Sequence, residues 1–205
     1  MTEKTYTQSP WSLKELFDSF EDPKIEETYQ EILKDVERSE AYRSELSPDI
    51  SSEKFLELIK RLEEGHKLGY RLYGFSSLSF AANTQDQKAQ IGISRVQQFL
   101  AEVENRTLFF SLWWKALDDQ NASRLLDASG DYRYWLEQIR NFKPYTLSEP
   151  EEKIINIKNV TGSAAMEMLY DSITNRYLFK VEVDGETKEM TRGELMSLVR
   201  SSDPD

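Results

Sequence analysis

The sequence predicts a mainly α-helical fold, an antiparallel bundle of long helices with a small C-terminal β-hairpin. Two stretches of about 30 residues repeat apolar side chains at spacings of three and four, which is the period of one helix face. Near residue 177 the period changes to two, and an Asp-Gly pair follows, as in a β-hairpin. Only 8 glycines and 6 prolines occur in 205 residues, which is too few for a turn-dense β-sandwich.

The first predicted helix follows an apolar segment at 11–20. Asp22 is expected to be the N-cap and Pro23 the first helical residue, because these residue types favour those positions. The helix is predicted to end near Leu46, since the following Ser47-Pro48 disfavours the α conformation. One face of this helix is apolar and consists of Ile25, Tyr29, Ile32, Leu33 and Val36.

The first long helix is predicted from about Ser51 to about Ala82. Ile50 and Phe55 are spaced as a hydrophobic staple around its start. Three glycines interrupt the helix, each at a cost of about 1 kcal/mol relative to alanine. From the four-residue spacing we expect another backbone to pack closely against this face. The glycines are Gly65, Gly69 and Gly74.

The second long helix is predicted over about 85–117. Thr84 and Gln87 have the spacing of a capping box at its start. Because only a short junction near Asn83 joins the two long helices, we expect them to be antiparallel neighbours. Shorter helices are predicted near 121–127 and 132–141.

A further helix is predicted after a second capping box, formed by Ser148 and Glu151. Gly162 is expected to break or kink it. A hairpin is then predicted at about 175–190, with a type I′ turn at Asp184-Gly185. A last short helix carries Leu195, Leu198 and Val199.

Composition excludes several classes of function. The chain has 26 basic and 37 acidic residues and a net charge of −11, so it is expected to repel nucleic acid. No apolar run approaches the roughly 20 residues of a membrane span, so no membrane partner is expected. The first residues, 1–6, are polar and lack the apolar core of a signal peptide, which favours a cytoplasmic location.

Metal and thiol chemistry have few candidate residues. There is no cysteine and one histidine, His66, which excludes thiolate sites and any site that needs two histidines. His66 could act with Glu63 or Glu64, but that pair is at most half a metal site. A structural or surface histidine is the favoured interpretation.

One aromatic pair and three acidic pairs are further candidate sites. Trp113-Trp114 could stack on a ligand, but the pair ends an apolar stripe and is expected to lie in the core or in a buried contact. Adjacent acids could act as general acid and base, yet such work needs a shifted pKa in a pocket, and adjacent acids at helix starts usually cap the helix. These acids are Glu26-Glu27, Asp118-Asp119 and Glu151-Glu152.

Several stretches, taken in order, resemble the N-terminal region of the oligoendopeptidase F family, in the thimet-oligopeptidase-like group of zinc metallopeptidases. They extend over nearly the whole chain. The most specific is the run Lys143-Pro144-Tyr145-Thr146-Leu147-Ser148-Glu149-Pro150-Glu151-Glu152-Lys153. The others are Trp11-Ser12-Leu13-Lys14-Glu15-Leu16-Phe17, Asp22-Pro23, Leu78-Ser79-Phe80-Ala81-Ala82-Asn83-Thr84-Gln85-Asp86, Leu108-Phe109-Phe110, Tyr132-Arg133-Tyr134-Trp135-Leu136, Thr161-Gly162-Ser163-Ala164-Ala165, Leu169-Tyr170-Asp171 and Val183-Asp184-Gly185-Glu186.

The sequence also departs from the family's pattern. Tyr145 stands where the family usually has histidine, and Met166 where it usually has tryptophan; neither position is in the family's metal motif. The family's zinc motif, His-Glu-x-x-His with a further glutamate, is absent from this chain. No catalytic, cofactor-binding or metal-ligating residue is therefore assigned here, and the chain alone is expected to bind no zinc and to cleave no peptide.

The resemblance implies a single helical N-terminal lobe over 1–205, ending at Ser202–Asp205 before a catalytic domain that this chain does not contain. In the intact zinc metalloendopeptidase, such a lobe would form one wall of the substrate channel and restrict access to short peptides. Its partners would be the catalytic lobe and oligopeptides. We expect the lobe to expose apolar surface for that contact, around the last helix and the hairpin. The alternative is a free-standing helical adaptor that binds proteins through such a face.

Overall fold

The computed structural model describes residues 11–183 and 185–199. The prediction of a mainly α-helical fold with a C-terminal hairpin is confirmed. The elements are α1 (Pro23–Ala41), α2 (Ser52–Ala82), α3 (Gln87–Ala116), α4 (Asp119–Asp127), α5 (Arg133–Asn141), α6 (Glu149–Asn159), α7 (Ala165–Thr174), β1 (Leu178–Val183), β2 (Glu186–Thr191) and α8 (Arg192–Val199).

Helix α1 begins at the predicted cap. The Asp22 carboxylate accepts a hydrogen bond of 3.0 Å from the Lys24 backbone N–H, which satisfies one of the unpaired donors at the helix start. The α-helix ends at Ala41, and a 3₁₀ segment (Tyr42–Glu45) carries the chain to the predicted end near Leu46.

Helices α2 and α3 form the predicted antiparallel pair. The first half of α2 packs with the second half of α3, where Phe55 lies 5.2 Å from Trp114 between ring centroids. The second half of α2 packs with the first half of α3 and with α1, through Phe75, Val96 and Tyr29 among others. Ile50 and Phe55 are both buried in the first of these clusters, as expected of a staple.

The predicted capping box at the start of α3 is wrong. Asp86 is the N-cap, and its carboxylate accepts a 2.9 Å hydrogen bond from the Lys88 backbone N–H. Thr84 is buried instead, and its carbonyl accepts from the Gln90 side chain at 2.6 Å. Aspartate caps helices better than threonine, and the start of α3 at Gln87 places Asp86 next to the first turn.

The expectation that a backbone packs against the α2 glycines is also wrong. A methyl group of Leu100 lies 3.0 Å from the position that a Cβ on Gly69 would occupy, so a side chain approaches there. Among the residues that the structure describes, nothing lies within 4 Å of the corresponding position at Gly65. The closest approach occurs on α3, where the Phe20 ring lies 2.2 Å from a Cβ placed on Gly92.

The capping box at Ser148 is confirmed, because the backbone N–H of Ser148 donates to the Glu151 carboxylate at 2.9 Å. The break expected at Gly162 is a π-helical turn (Val160–Ala164) that joins α6 to α7. A π turn holds one extra residue per hydrogen-bonded ring and changes the direction of the helix face.

The hairpin pairs β1 and β2 antiparallel, with Leu178 opposite Thr191 and Val183 opposite Glu186. This register leaves a two-residue loop, as predicted. Asp184 lies outside the described residues, whereas Gly185 has φ of +76°, a conformation that residues with a Cβ adopt at a cost.

The contact between Gly92 and Phe20 predicts a marked loss of stability in Gly92→Ala. The added methyl would overlap the Phe20 ring, which packs 4.9 Å from the Phe75 ring, and overpacking of this kind costs about 1–3 kcal/mol. The matched control is Gly65→Ala, which should gain up to about 1 kcal/mol of helix propensity. Urea unfolding measures both; equal stability of the two variants would contradict the packing.

The positive φ at Gly185 predicts that Gly185→Val disrupts the hairpin, at a cost of about 1–3 kcal/mol. Cross-strand proton contacts between Phe179 and Met190, which are paired in the register, should be lost from NMR spectra. Thr187→Val is the control, because a β-branched residue suits a strand position. Retention of the cross-strand contacts in Gly185→Val would show that the turn does not need glycine.

Candidate functional site

His66 lies exposed on α2, and both acids considered beside it have other partners. Glu63 accepts from the Tyr132 hydroxyl at 2.7 Å, and this hydrogen bond is the main reason that the pKa of Glu63 is lowered. Glu64 forms a 2.9 Å ion pair with Lys67. The three side chains are therefore not held as a common site.

Zinc, which the resemblance implies for the intact enzyme, does not fit this chain's residues. A zinc site takes at least three protein ligands from histidine, cysteine or carboxylate side chains. The chain has one histidine and no cysteine. Over 11–183 and 185–199, no group of three His, Cys, Asp or Glu residues is arranged to hold a metal ion.

The tryptophan pair has a structural role in the core. Trp114 is 0% exposed, and its indole N–H donates a 2.9 Å hydrogen bond to the carbonyl of Leu136 in α5. The guanidinium of Arg140 lies 5.4 Å from its ring. Trp113 is partly buried against the same cluster, so both rings take part in packing, as predicted.

The acidic pairs cap helices or form ion pairs. Asp118 is the N-cap of α4, and hydrogen bonds from Asn121 lower its pKa. The pKa of Glu151 is lowered by hydrogen bonds from Ser148, and that of Glu26 by the Arg95 guanidinium at 2.7 Å. A lowered pKa keeps a carboxylate ionised at neutral pH. A general acid must instead hold its proton at that pH, which requires a raised pKa.

The remaining acids of these pairs do not converge on a pocket either. Asp119 is exposed and accepts a 2.7 Å hydrogen bond from Arg140. Glu152 accepts from the Leu147 backbone N–H at 2.9 Å. Glu27 is exposed on α1.

The most unusual surface is on the C-terminal elements, where no described residue of α6, α7, β1, β2 or α8 is buried. Helix α7 carries an apolar stripe at positions i, i+3, i+4 and i+7, and such a stripe normally faces a core. Here its side chains are between 45% and 65% exposed. They are Met166, Leu169, Tyr170 and Ile173.

Further exposed apolar side chains lie on the neighbouring elements. They are Ile154, Ile155 and Ile157 on α6, Leu178 and Phe179 on β1, and Met196, Leu198 and Val199 on α8. We call the α7 stripe and these side chains the apolar face; because Leu178 and Phe179 are successive strand residues and point to opposite sides of the hairpin, only one of them contributes to any one side. Large exposed apolar surfaces of soluble proteins mark sites of interaction, so this face is the candidate functional site.

Polar contacts hold α6 and α7 on the bundle. Arg43 forms a 2.6 Å ion pair with Glu149 at the start of α6. Asn156 donates to Asn105 of α3 at 3.0 Å. Near the end of α7, Arg176 donates to Gln85 at 2.9 Å. Because these contacts involve charged and amide groups, α6 and α7 are positioned while much of their apolar surface stays uncovered.

The expectation of exposed apolar surface near the chain's last elements is confirmed for Leu198 and Val199, while Leu195 is partly buried. The exposed apolar side chains of α6 and α7 were not predicted. The spacing of the α7 stripe was readable in the sequence, but spacing does not reveal whether a chain covers its own stripe. The expected break at Ser202–Asp205 lies outside the described residues.

The comparisons with known proteins agree with the resemblance found in the sequence. The family model described as Oligopeptidase F matches residues 113–179. In fold, the chain is similar to the crystal structure of oligoendopeptidase-F from Enterococcus faecium, with a TM-score of 0.69 and 19% sequence identity. This likeness covers 88% of the present chain and 35% of that chain. No curated protein sequence matches.

The predicted resemblance to the N-terminal part of oligoendopeptidase F is therefore confirmed. The matched segment, 113–179, runs from the end of α3 to the start of β1 and includes α6 and α7. The present chain corresponds to 35% of the length of the E. faecium protein. Within the described part of the chain, no helix has the length and apolar character of a membrane span.

The structural role of Trp114 predicts that Trp114→Phe is destabilising. The substitution removes the 2.9 Å hydrogen bond to the Leu136 carbonyl, which contributes about 0.5–1.5 kcal/mol, and it leaves a void where part of a fully buried ring had packed, which adds to the cost. Trp11→Phe, at an exposed tryptophan, is the control and should be neutral. Urea unfolding measures the stability of both variants. Equal stability of Trp114→Phe and Trp11→Phe would contradict the structural role of Trp114.

Proposed function

We propose that this chain is the N-terminal, non-catalytic lobe of an oligoendopeptidase F-like zinc metallopeptidase, and that its apolar face docks against a catalytic lobe. The observation that carries the proposal is the exposed stripe on α7. The 35% coverage of the E. faecium chain supports it, because a lobe of that share would have a larger neighbour to cover its face.

Burial of the apolar face would provide the free energy for docking. Apolar surface removed from water contributes about 25 cal/mol per Å², and interfaces between domains of one chain usually bury about 600–1,500 Å². Bulky side chains that are about half exposed on two helices, a strand and α8 are suited to an interface of that size. The polar contacts at Arg43, Asn105 and Gln85 would keep α6 and α7 in place for it.

In the intact enzyme, the proposed lobe would form one wall and the cover of the substrate channel. Helices α2 and α3, of 31 and 30 residues, are each about 45 Å long at 1.5 Å per residue. A paired scaffold of this length resists bending, so it could hold a channel narrow. A narrow channel admits short unfolded peptides, excludes folded proteins and limits water around the reacting groups.

In this proposal, the residues of this chain confine the substrate and do not touch the reacting atoms. The zinc and its ligands would be supplied by the catalytic lobe. A cytoplasmic location is part of the proposal and is supported by the absence of cysteine, since small secreted domains commonly depend on disulfides.

The coding sequence after Asp205 tests the proposal against the adaptor alternative. We expect it to continue into a segment with His-Glu-x-x-His, because the two histidines of that motif bind zinc and the glutamate activates water. A stop codon directly after Asp205 would overturn the proposal and favour an adaptor that binds another protein through the same face.

A variant of the intact protein tests the docking role of the apolar face. Ile173→Glu places a charge in the proposed interface, and we expect hydrolysis of a quenched fluorescent peptide to fall at least about tenfold, which corresponds to 1.4 kcal/mol. Ile91→Glu is the matched control, since Ile91 is also exposed but lies on α3 beside Phe20 and Tyr29. Equal loss of activity in both variants, or in neither, would contradict docking through α7.

A further inference from the structure

We propose that a groove between α3 and the π-helical turn (Val160–Ala164) binds an extended peptide that carries arginine or lysine side chains. This groove, the π-turn groove, is lined by α2, α3, α6, the turn and the start of α7, and has a volume of about 480 Å³. Ligand sites commonly have volumes of about 300–1,000 Å³. None of the described residues that line it belongs to the apolar face. If the chain has the proposed function, the bound peptide is a substrate, and only that step rests on the function.

The π-helical turn forms one wall of the groove. Such turns are rare, interrupt an otherwise regular helix and often occur at functional sites. Val160, Ser163 and Ala164 of the turn line the groove together with Leu100 and Ala101 of α3. Because both alanine side chains are short, the two walls leave room between them.

Three amide side chains of the lining suit a peptide backbone. They are Gln97 of α3 and Asn156 and Asn159 of α6. The Asn156 amide N–H donates to the Asn105 amide oxygen at 3.0 Å, which fixes its orientation and leaves its own oxygen to accept. Each amide has donors and an acceptor, and every peptide group other than that of proline offers one of each.

The charged residues of the lining are two carboxylates, Glu104 and Glu167, and both are exposed. No lysine, arginine or histidine is among the described residues that line the groove. Tyr73, which is 41% exposed, also lines it, and the face of its ring can take a guanidinium or ammonium group. Because the chain as a whole has a charge of −11, its field attracts basic peptides and repels acidic ones.

The cations of α3 and α6 nearest in sequence to the lining do not neutralise these carboxylates. Arg106 pairs with Glu40 at 2.6 Å, and Lys153 pairs at 2.7 Å with the carboxylate at the first residue of α6. Lys158 follows the lining residue Asn156 by two positions, which places it about 200° around the helix and so on the opposite side. The groove therefore keeps a net negative charge that a basic ligand can complement.

The lining favours a basic peptide over a small polyamine. A protonated polyamine has only donors, so it would leave the amide N–H groups of Gln97 and Asn159 without acceptors, whereas a peptide supplies carbonyl oxygens for them. The aliphatic parts of arginine and lysine side chains can pack on Leu100 and Val160 while their charged groups reach the carboxylates.

Four probes test the proposal on the 205-residue chain at physiological salt. The first is a blocked peptide of about nine residues, built from glycine, serine and alanine with three arginines. In the second and third, citrulline or glutamate replaces arginine, and the fourth is spermidine, which also carries three positive charges. The NMR signals of the side-chain amides of Gln97, Asn156 and Asn159 report binding.

We expect saturable shifts with the arginine peptide and about tenfold weaker binding of the citrulline peptide, the effect of two partly exposed ion pairs and a cation–π contact. Spermidine should also bind more weakly, and the glutamate peptide most weakly. Absence of saturable shifts, or an affinity for the citrulline peptide or spermidine equal to that for the arginine peptide, would overturn the proposal. Because this chain is tested alone, such an outcome would leave the proposed docking of the apolar face unaffected.

Charge variants separate the groove from general attraction to an acidic chain. In Glu104→Gln and in Glu167→Gln, the affinity for the arginine peptide should fall about threefold, while that for the citrulline peptide stays unchanged. Glu102→Gln removes the same charge from an exposed position of α3 outside the lining and should leave both affinities unchanged. An equal effect of the three variants would contradict binding in the groove.

A positive charge placed in the groove tests its location. Ser163→Arg should lower the affinity for the arginine peptide at least about tenfold, because the new guanidinium takes up space in the groove and pairs with its carboxylates. The matched control is Thr161→Arg, at an exposed position of the same turn that is not part of the lining. Circular dichroism identifies a variant that fails to fold, and the glutamine variants then carry the test. Equal affinity of the two folded variants would contradict the site.

Discussion

The contact between Phe55 and Trp114, at 5.2 Å between ring centroids, is the interaction on which the arrangement of the bundle depends. It joins the start of α2 to the end of α3, so it fixes the antiparallel register of two helices of about 45 Å. The indole N–H of Trp114 also bonds the Leu136 carbonyl and thereby ties α5 to the same point. Helix α6 packs on α3, where Asn156 donates to Asn105.

The apolar residues of the chain are divided unequally between core and surface. The described core is built from residues 17–136, whereas α6, α7 and the elements after them expose theirs. The helices and strands of the C-terminal part are nevertheless well formed, because caps such as Ser148 with Glu151 and ion pairs such as Arg43 with Glu149 satisfy their ends. The helices and strands of the C-terminal part are thus locally well formed, although none of their described residues is buried.

Much of the fold was predictable from local signals. Asp22-Pro23, Ser51 and Ser148 mark helix starts because capping depends on residues within one turn, and the strand period of two marks the hairpin. The cap at Thr84 was predicted wrongly although a better capping residue, Asp86, lies two positions further on. The packing at Gly65 was predicted wrongly because it depends on neighbours that the sequence does not specify. The α7 stripe was visible as a pattern, but its exposure depends on which elements cover it, and that is a property of tertiary structure.

Hydrogen–deuterium exchange of the longer protein, compared with this chain alone, tests the central claim most directly. Exchange reports local opening, and covering a helix face with a partner reduces opening. If a second lobe covers the apolar face, the amides of α6 and α7 should exchange much more slowly in the longer protein, while those of α2 around Phe55 should change little. Equal exchange of α7 in the two proteins would contradict the claim that the apolar face is covered by a second lobe.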